Sequence, residues 1–335
     1  MPDLRFGVAF GGLGMDAAAI VSGAQHAEGL GFDSLWTGEA WGTDAVVPLT
    51  WAAAHTATIG IGTSILQMPA RTPAMTAMTA MTLDELSGGR LRLGLGLSGP
   101  QVVEGWHGVP YTKPLTRTRE YVGLLRQAFA GEKVSLAGDV HRIPYDGPGA
   151  TGRGKALRSS SAPRPDIPIY VAAIGPKNIA QTVAIADGLL PAFMSASQWG
   201  TVFGGALAEA KPGFEVAPLV QIVSGDDIAR CRDRVRPLLG LYIGGMGPRG
   251  GNFYNDLVCR YGYEAEAKAI QDLYLDGHRR EAVAAVPDAL VDEVALVGDA
   301  AHIADQLAVW HESPATTLIL DPARRDDLDL VAGLR

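Results

Sequence analysis

Residues 59–97 read IGIGTSILQMPARTPAMTAMTAMTLDELSGGRLRLGLGL. Residues 59–66 are apolar and β-branched with glycines between, the pattern of a strand covered on both faces. Thr72 then offers a side-chain cap and Pro73 a first helical turn, so the Ala/Met/Thr run behind them predicts a helix that Gly88 and Gly89 close. Residues 91–97 return to an apolar strand. Strand, helix and strand joined this closely form the unit of a parallel sheet.

The unit repeats in both directions. Upstream, residues 4–10 are a short apolar strand ending at Gly11 and Gly12, and Asp16 can cap a helix carrying Ile20, Ala24, Ala27 and Leu30 on one face. Residues 34–37 and 47–56 supply another strand and helix. Downstream, 116–130 reads helical and 133–145 alternates as a hairpin; strands at 169–173, 189–194 and 216–223 lead into helices at 178–186, 199–210 and 226–241. A glycine-rich loop at 244–251 and several helices precede a last strand at 317–320. Eight strands separated by helices is the number that closes a barrel. The expected fold is α/β: one (β/α)8 TIM barrel over residues 1–335, with insertions at 131–166 (a hairpin and a basic loop) and 244–290.

With 335 residues, 47% of them apolar, the chain can bury one large core, and 42 glycines with 21 prolines are too few for low complexity. A net charge of −8 disfavours nucleic acid and anionic membrane surfaces as partners. No apolar run reaches the ~20 residues of a membrane helix, and Asp3 and Arg5 precede only a short apolar stretch, unlike a secretory signal. Cys231 and Cys259 suit neither a disulfide framework nor a thiolate metal site. These features predict a cytoplasmic protein without a metal centre.

Residues 94–99, GLGLSG, match a dinucleotide fingerprint, but the acidic residue about 20 positions on, Glu120, falls inside a predicted helix, so a glycine-rich barrel strand is the better reading. Hydrolase and phosphate-loop motifs are absent. Met75, Met78 and Met81 read as a core-facing stripe. In a barrel the chemistry gathers at the C-terminal strand ends. That filter selects Thr37, Glu39 and Trp41; Ser64, Gln67 and Met68; Ser98 and Glu104; and Gly175, Lys177 and Asn178.

The segments WTGEAWGTDA (36–45), GTSILQMPARTP (62–73), SGPQVVEGWHG (98–108), AAIGPKN (172–178) and EVALVG (293–298) resemble the luciferase-like flavin and deazaflavin oxidoreductases. Segment 98–108 is most similar to the branch that uses the deazaflavin coenzyme F420, that of methylenetetrahydromethanopterin reductase. The resemblance implies a luciferase-like barrel and transfer of a hydride between the deazaflavin C5 and a small organic substrate bearing a C=C, C=N or carbonyl/alcohol group. An FMN-dependent monooxygenase and a non-catalytic deazaflavin- or flavin-binding protein are the competing readings.

It further implies a non-prolyl cis peptide at Ser64–Ile65, forming a bulge behind the coenzyme ring, and a homodimer through Ala-rich helices such as 17–30 and 74–86. Thr37, Gly38, Ser64, Ile65, Gln67 and Ser98 are the expected ring contacts. The coenzyme tail carries phosphate and glutamates, for which Gly175, Pro176, Lys177 and Asn178 offer a helix N-terminus and a cation. Arg153, Lys155, Arg158 and Arg164 form a basic loop that closes on the tail or is merely solvated. Glu39 is the first choice for proton delivery, ahead of Glu104 and His107. Trp199, Phe253 and Tyr254 either line a substrate pocket or pack.

Overall fold

The computed structural model describes residues 4–10 and 17–335. The expected turn at Gly11 and Gly12 and the cap at Asp16 lie outside the described residues. The strands are β1 (Arg5–Ala9), β2 (Ser34–Thr37), β3 (Gly60–Thr63), β4 (Leu66–Gln67), β5 (Leu91–Gly96), β6 (Leu136–Ala137), β7 (Arg142–Ile143), β8 (Ile169–Ala172), β9 (Gly188–Leu190), β10 (Glu215–Val216), β11 (Leu219–Ser224), β12 (Ala295–Gly298) and β13 (Thr317–Pro322). Apart from the β6–β7 hairpin they form one parallel sheet in the order β10–β9–β8–β5–β3–β2–β1–β13–β11–β12, with β4 continuing the crossing of β3 along β5.

Because β10 and β11 are two halves of one crossing, the sheet closes on itself. The Ala217 N–H donates to Leu189 O on one side and the Ile319 N–H to Pro218 O on the other, each at 2.9 Å. The result is the eight-crossing TIM barrel that the alternation of elements implied. One strand escaped the sequence reading. β12 pairs with the outer end of β11, from Gln221 opposite Ala295 to Ser224 opposite Gly298.

The helices are α1 (Ala17–Gly29), α2 (Val46–Ala53), α3 (Pro73–Leu86), α4 (Pro100–Gly105), α5 (Pro114–Phe129), α6 (Pro176–Ile185), α7 (Gly205–Leu207), α8 (Ile228–Gly240), α9 (Phe253–Arg260), α10 (Glu264–Leu275), α11 (Arg279–Ala284), α12 (Asp288–Val294), α13 (Ala300–His311) and α14 (Arg325–Leu334). No helix among the described residues is long and apolar enough to cross a membrane. The α9–α11 excursion leaves after α8 and returns at α12, and ion pairs clasp its two ends. Arg232 meets Asp292 at 2.5 Å and Asp288 at 3.2 Å, and Arg236 also reaches Asp288. The hairpin at 131–166 is held differently: the Glu120 carboxylate on α5 accepts the N–H groups of Asp139, Val140 and His141 at 2.7–3.0 Å. Burial would raise the Glu120 pKa, but those three bonds outweigh it and hold the carboxyl below its ordinary range.

Strand alternation divides the core. Outward residues such as Val8, Leu35, Ile61, Leu93 and Leu320 pack under the helices, whereas Trp36, Tyr170, Leu190, Ala217 and Ile319 fill the barrel interior. Trp36 meets Tyr170 edge-on at 5.6 Å between centroids, and its Nε1 donates to Ser34 Oγ at 2.9 Å. Gly62 makes room for that indole, since a Cβ there would come within 2.3 Å of its ring.

α3 starts and stops as its sequence predicts: Thr72 accepts from the Met75 N–H at 3.2 Å, and Gly88 and Gly89 follow at φ 70° and 84°. The methionine stripe is a correction. Met81 is 1% exposed, but Met75 and Met78 are 52% and 60% exposed. At about 100° per residue a three-residue repeat drifts round the helix, placing Met75 and Met81 about 120° apart.

Candidate active site

The C-terminal strand ends open into a cavity of about 720 Å³. Its lining brings together Glu39, Trp41, Ser64, Ile65, Gly96, Ser98, Gly175, Pro176, Lys177 and Asn178, drawn from four consecutive crossings as the strand-end filter anticipates. The Ser64–Ile65 peptide is cis, at the break between β3 and β4. Gly38 passes so close behind this bend that a Cβ would stand 2.4 Å from Ser64 O. Ser98 and Phe193, both on the cavity wall, have left-handed backbone at φ 58° and 50°.

Several expected contacts serve the wall from behind. Thr37 is buried and donates to Ala45 O at 2.8 Å, while its own carbonyl accepts the Ser64 N–H at 2.7 Å. Gln67 is also buried, with Nε2 donating to Ala40 O at 2.6 Å and Oε1 bonded to His107 Nε2 at 3.1 Å. Both residues fix the bend through backbone groups and do not line the main cavity. His107 and Gln67 belong to a second hollow of about 570 Å³ beside it, with Arg71, Asp44, Trp106 and Met75.

The three expected proton donors are not equivalent. Glu39 reaches the cavity, but one carboxylate oxygen accepts from Arg71 at 2.6 Å and the other from the Gln67 N–H at 3.1 Å. A proton on either oxygen would face a donor. Burial lowers the Arg71 pKa, but Glu39 and Asp44 outweigh it and raise it. Glu104 lies on the exposed side of α4, accepting from the Tyr111 N–H at 3.1 Å, outside both hollows. The basic loop stays outside as well: Arg153, Lys155 and Arg158 are exposed, and Arg164 is tied to Asp84 at 2.8 Å.

At the strand-five side, α6 begins with Gly175 as an uncapped N-terminal residue and Pro176 in the first turn. Lys177 projects beside it, with no ion pair among the described residues. Arg260, at the end of α9, donates from Nη2 to Ile174 O at 2.7 Å, yet among the described residues its buried Nε has no acceptor and Asn178 Oδ1 has no donor. Sequence reasoning missed Arg260, because no strand end announces a residue delivered by an inserted helix.

The side formed after crossings six to eight is of another kind. Phe193, Tyr242 and Tyr254 form an edge-to-face trio with centroids 4.7–5.8 Å apart, walled by Leu238, Leu239 and Met246. Phe253 and Tyr254 therefore line the cavity, whereas Trp199 packs against the core. Asp321 and Gln221 form part of this wall. Burial pushes the Asp321 carboxyl up to about 6, with the Gln221 amide working the other way. Burial, and secondarily Asp321, raises the Tyr242 pKa.

The profile of the luciferase-like monooxygenase family matches residues 5–317. A Mycobacterium tuberculosis protein that carries the name of a coenzyme F420-dependent oxidoreductase is 44% identical over 319 residues, 92% of each chain. Among solved structures, the coenzyme F420-dependent tetrahydromethanopterin reductase from Methanopyrus kandleri superposes with a TM-score of 0.79 at 21% identity, covering 98% of this chain and 97% of that one. An F420-dependent secondary alcohol dehydrogenase, in complex with an F420–acetone adduct, gives 0.77 at 18% identity over 99% and 98%. At these identities the two superpositions are likenesses of fold.

Proposed function

The chain belongs to the luciferase-like monooxygenase family, and from that premise we propose that it is a coenzyme F420-dependent oxidoreductase that transfers a hydride to or from a small organic substrate. The observation that carries this reading is the donor set at the start of α6. An anionic tail needs cations and free N–H groups, and Lys177 and the orphaned Arg260 Nε stand there beside an uncapped helix N-terminus. In a chain of net charge −8 this local concentration of donors fits a phosphate.

Ser64, Ile65 and Ser98 would hold the ring, and Gly175, Pro176, Lys177, Asn178 and Arg260 the tail. Thr37, Gly38, Glu39 and Gln67 shape the bend from behind. Bound, the coenzyme supplies a carbon that gives or takes a hydride, so the protein's work is to orient it, exclude water and manage one proton. The aromatic and aliphatic wall performs the exclusion.

The test is a fluorescence titration of the protein with F420 and, separately, with FMN. Saturable binding of F420 at micromolar concentration is expected; saturable binding of FMN without F420 would overturn the assignment.

A homodimer is part of the same reading. Val47 and Trp51 on α2 and Met75 and Met78 on α3 expose apolar side chains on consecutive helices of the ring, the mark of an association surface. Met78→Glu should halve the sedimenting mass. A wild-type protein already sedimenting as one chain would refute the dimer.

A further inference from the structure

We propose that Asp321, with Gln221 beside it, is the group that exchanges a proton with the substrate, and that the substrate is an uncharged, largely apolar molecule with one polarised double bond. The inference rests on the coenzyme reading above and assigns the other half of that reaction.

The placement follows from strand alternation. Ile319 belongs to the barrel interior, so Asp321, two residues on along β13, projects on the same face one layer higher, at the cavity floor. In β11 the parallel register sets Leu219 against Ile319 and Gln221 against Asp321. Carboxyl and amide therefore stand side by side above an apolar layer. Gln221 Oε1 is buried and without a donor among the described residues. A substrate O–H, or the Asp321 carboxyl proton itself, would satisfy it.

Hydride transfer to a double bond leaves a charge at its far end that a positioned acid must neutralise. Asp321 can do so where the other candidates cannot: Glu39 is held by Arg71 and the Gln67 N–H, His107 by Gln67 in the neighbouring hollow, and Glu104 lies outside. In the reducing direction one carbon of a C=O or conjugated C=C bond receives the hydride, the far end takes the proton of Asp321, and the reduced coenzyme is oxidised by two electrons. The carboxylate left behind recovers its proton from water. In the oxidising direction the carboxylate accepts the proton.

The surroundings set the substrate class. Among the described residues, the titratable group facing Asp321 is Tyr242, with Tyr254 behind it; Gln221 is neutral and β1 presents Ala9 to the interior. Arg324 turns onto Ser224 O at 2.7 Å and Arg325 onto Ser22. Glu39, Asp256, Lys177 and Arg260 line the same cavity from other elements, and both cations serve the strand-five side. An anionic substrate head would meet no counter-charge beside Asp321, whereas Phe193, Leu238, Leu239 and Met246 favour an apolar body. The carboxyl remains protonated up to about pH 6.

Infrared difference titration of the coenzyme-free protein should show a protonated carboxyl that ionises near pH 6 and is missing from Asp321→Asn. With reduced F420 and a panel of cyclic enones and aliphatic ketones, Asp321→Asn should keep coenzyme affinity within about twofold and lose turnover by ~10²–10⁴-fold. Asp321→Glu should recover part of it, and wild-type reduction should fall as pH rises through the carboxyl's titration. Turnover of Asp321→Asn within about threefold of wild type, or the same pH profile in both, overturns the role of Asp321. Failure of the wild type to reduce any member of the panel overturns the substrate class. Absence of saturable F420 binding to the wild type overturns the coenzyme assignment and this proposal together.

Discussion

The two sides of the cavity use opposite means. Beside α6 the wall is built of unspent hydrogen-bond donors: Lys177, the buried Nε of Arg260 and an uncapped helix start. Elsewhere the wall is built of aromatic rings that follow β9 and α8 or sit on α9, and of a carboxyl on β13 that burial keeps largely protonated in mild acid. The first side can hold an anion by charge, and the second removes water and leaves a proton to give. One hollow therefore serves two partners of opposite character because successive crossings present different chemistry at the same height.

Trp36→Ala should break both sides at once. The indole fills the interior beneath them, and emptying a buried aromatic site costs about 3–5 kcal/mol, so urea denaturation should show a matching loss of unfolding free energy. Asp321→Asn should act on one side only, and should stabilise. A buried carboxyl with a raised pKa weakens the fold as pH climbs from about 4, where the unfolded chain ionises, to about 6, where the folded one does. The variant should thus gain on the order of 2–3 kcal/mol at about pH 7 and nothing below about pH 4, measured by thermal unfolding at the two pH values.

The opposite side should answer in affinity. Arg260→Ala removes a partly buried charge-assisted contact of about 1.5–3 kcal/mol, so F420 binding should weaken roughly ten- to hundredfold by fluorescence titration, with the unfolding midpoint little changed. Lys177→Ala should give the smallest effect, less than about tenfold, and one that fades with added salt because the side chain is exposed. Equal losses from Arg260→Ala and Lys177→Ala would mean that burial does not set the strength of this side.

The strand-five side was the more legible in the sequence. AAIGPKN marks a strand end, a helix start and a cation in seven consecutive residues, and the caps of α3 are written in Thr72, Pro73, Gly88 and Gly89. The strand-end filter found Ser64, Ser98 and Lys177 because it was applied to crossings two to five. At crossing eight the same filter reaches Asp321, just after the expected strand 317–320, whereas Gln221 lies inside β11 and is found only through its register with Asp321. Arg260 was hidden for a different reason: it comes from a helix whose position no strand register dictates, although Phe253 and Tyr254 on that helix are pocket candidates from sequence. β12 was hidden because its four residues follow α12 without a break.

The clasp between α8 and α12 makes the excursion separable from the barrel. Since Arg232 and Arg236 bring the two ends of the excursion together on Asp288 and Asp292, and the ladders of β11 to β12 and β13 run without it, residues 241–287 are a cartridge plugged into a finished barrel. That cartridge carries Tyr242, Met246, Phe253 and Tyr254 to the mouth. A change in its length or sequence would alter what is admitted above Asp321 and leave the barrel ladders as they are. Arg260 is the exception, the one cavity-lining cation that the cartridge lends to the strand-five side.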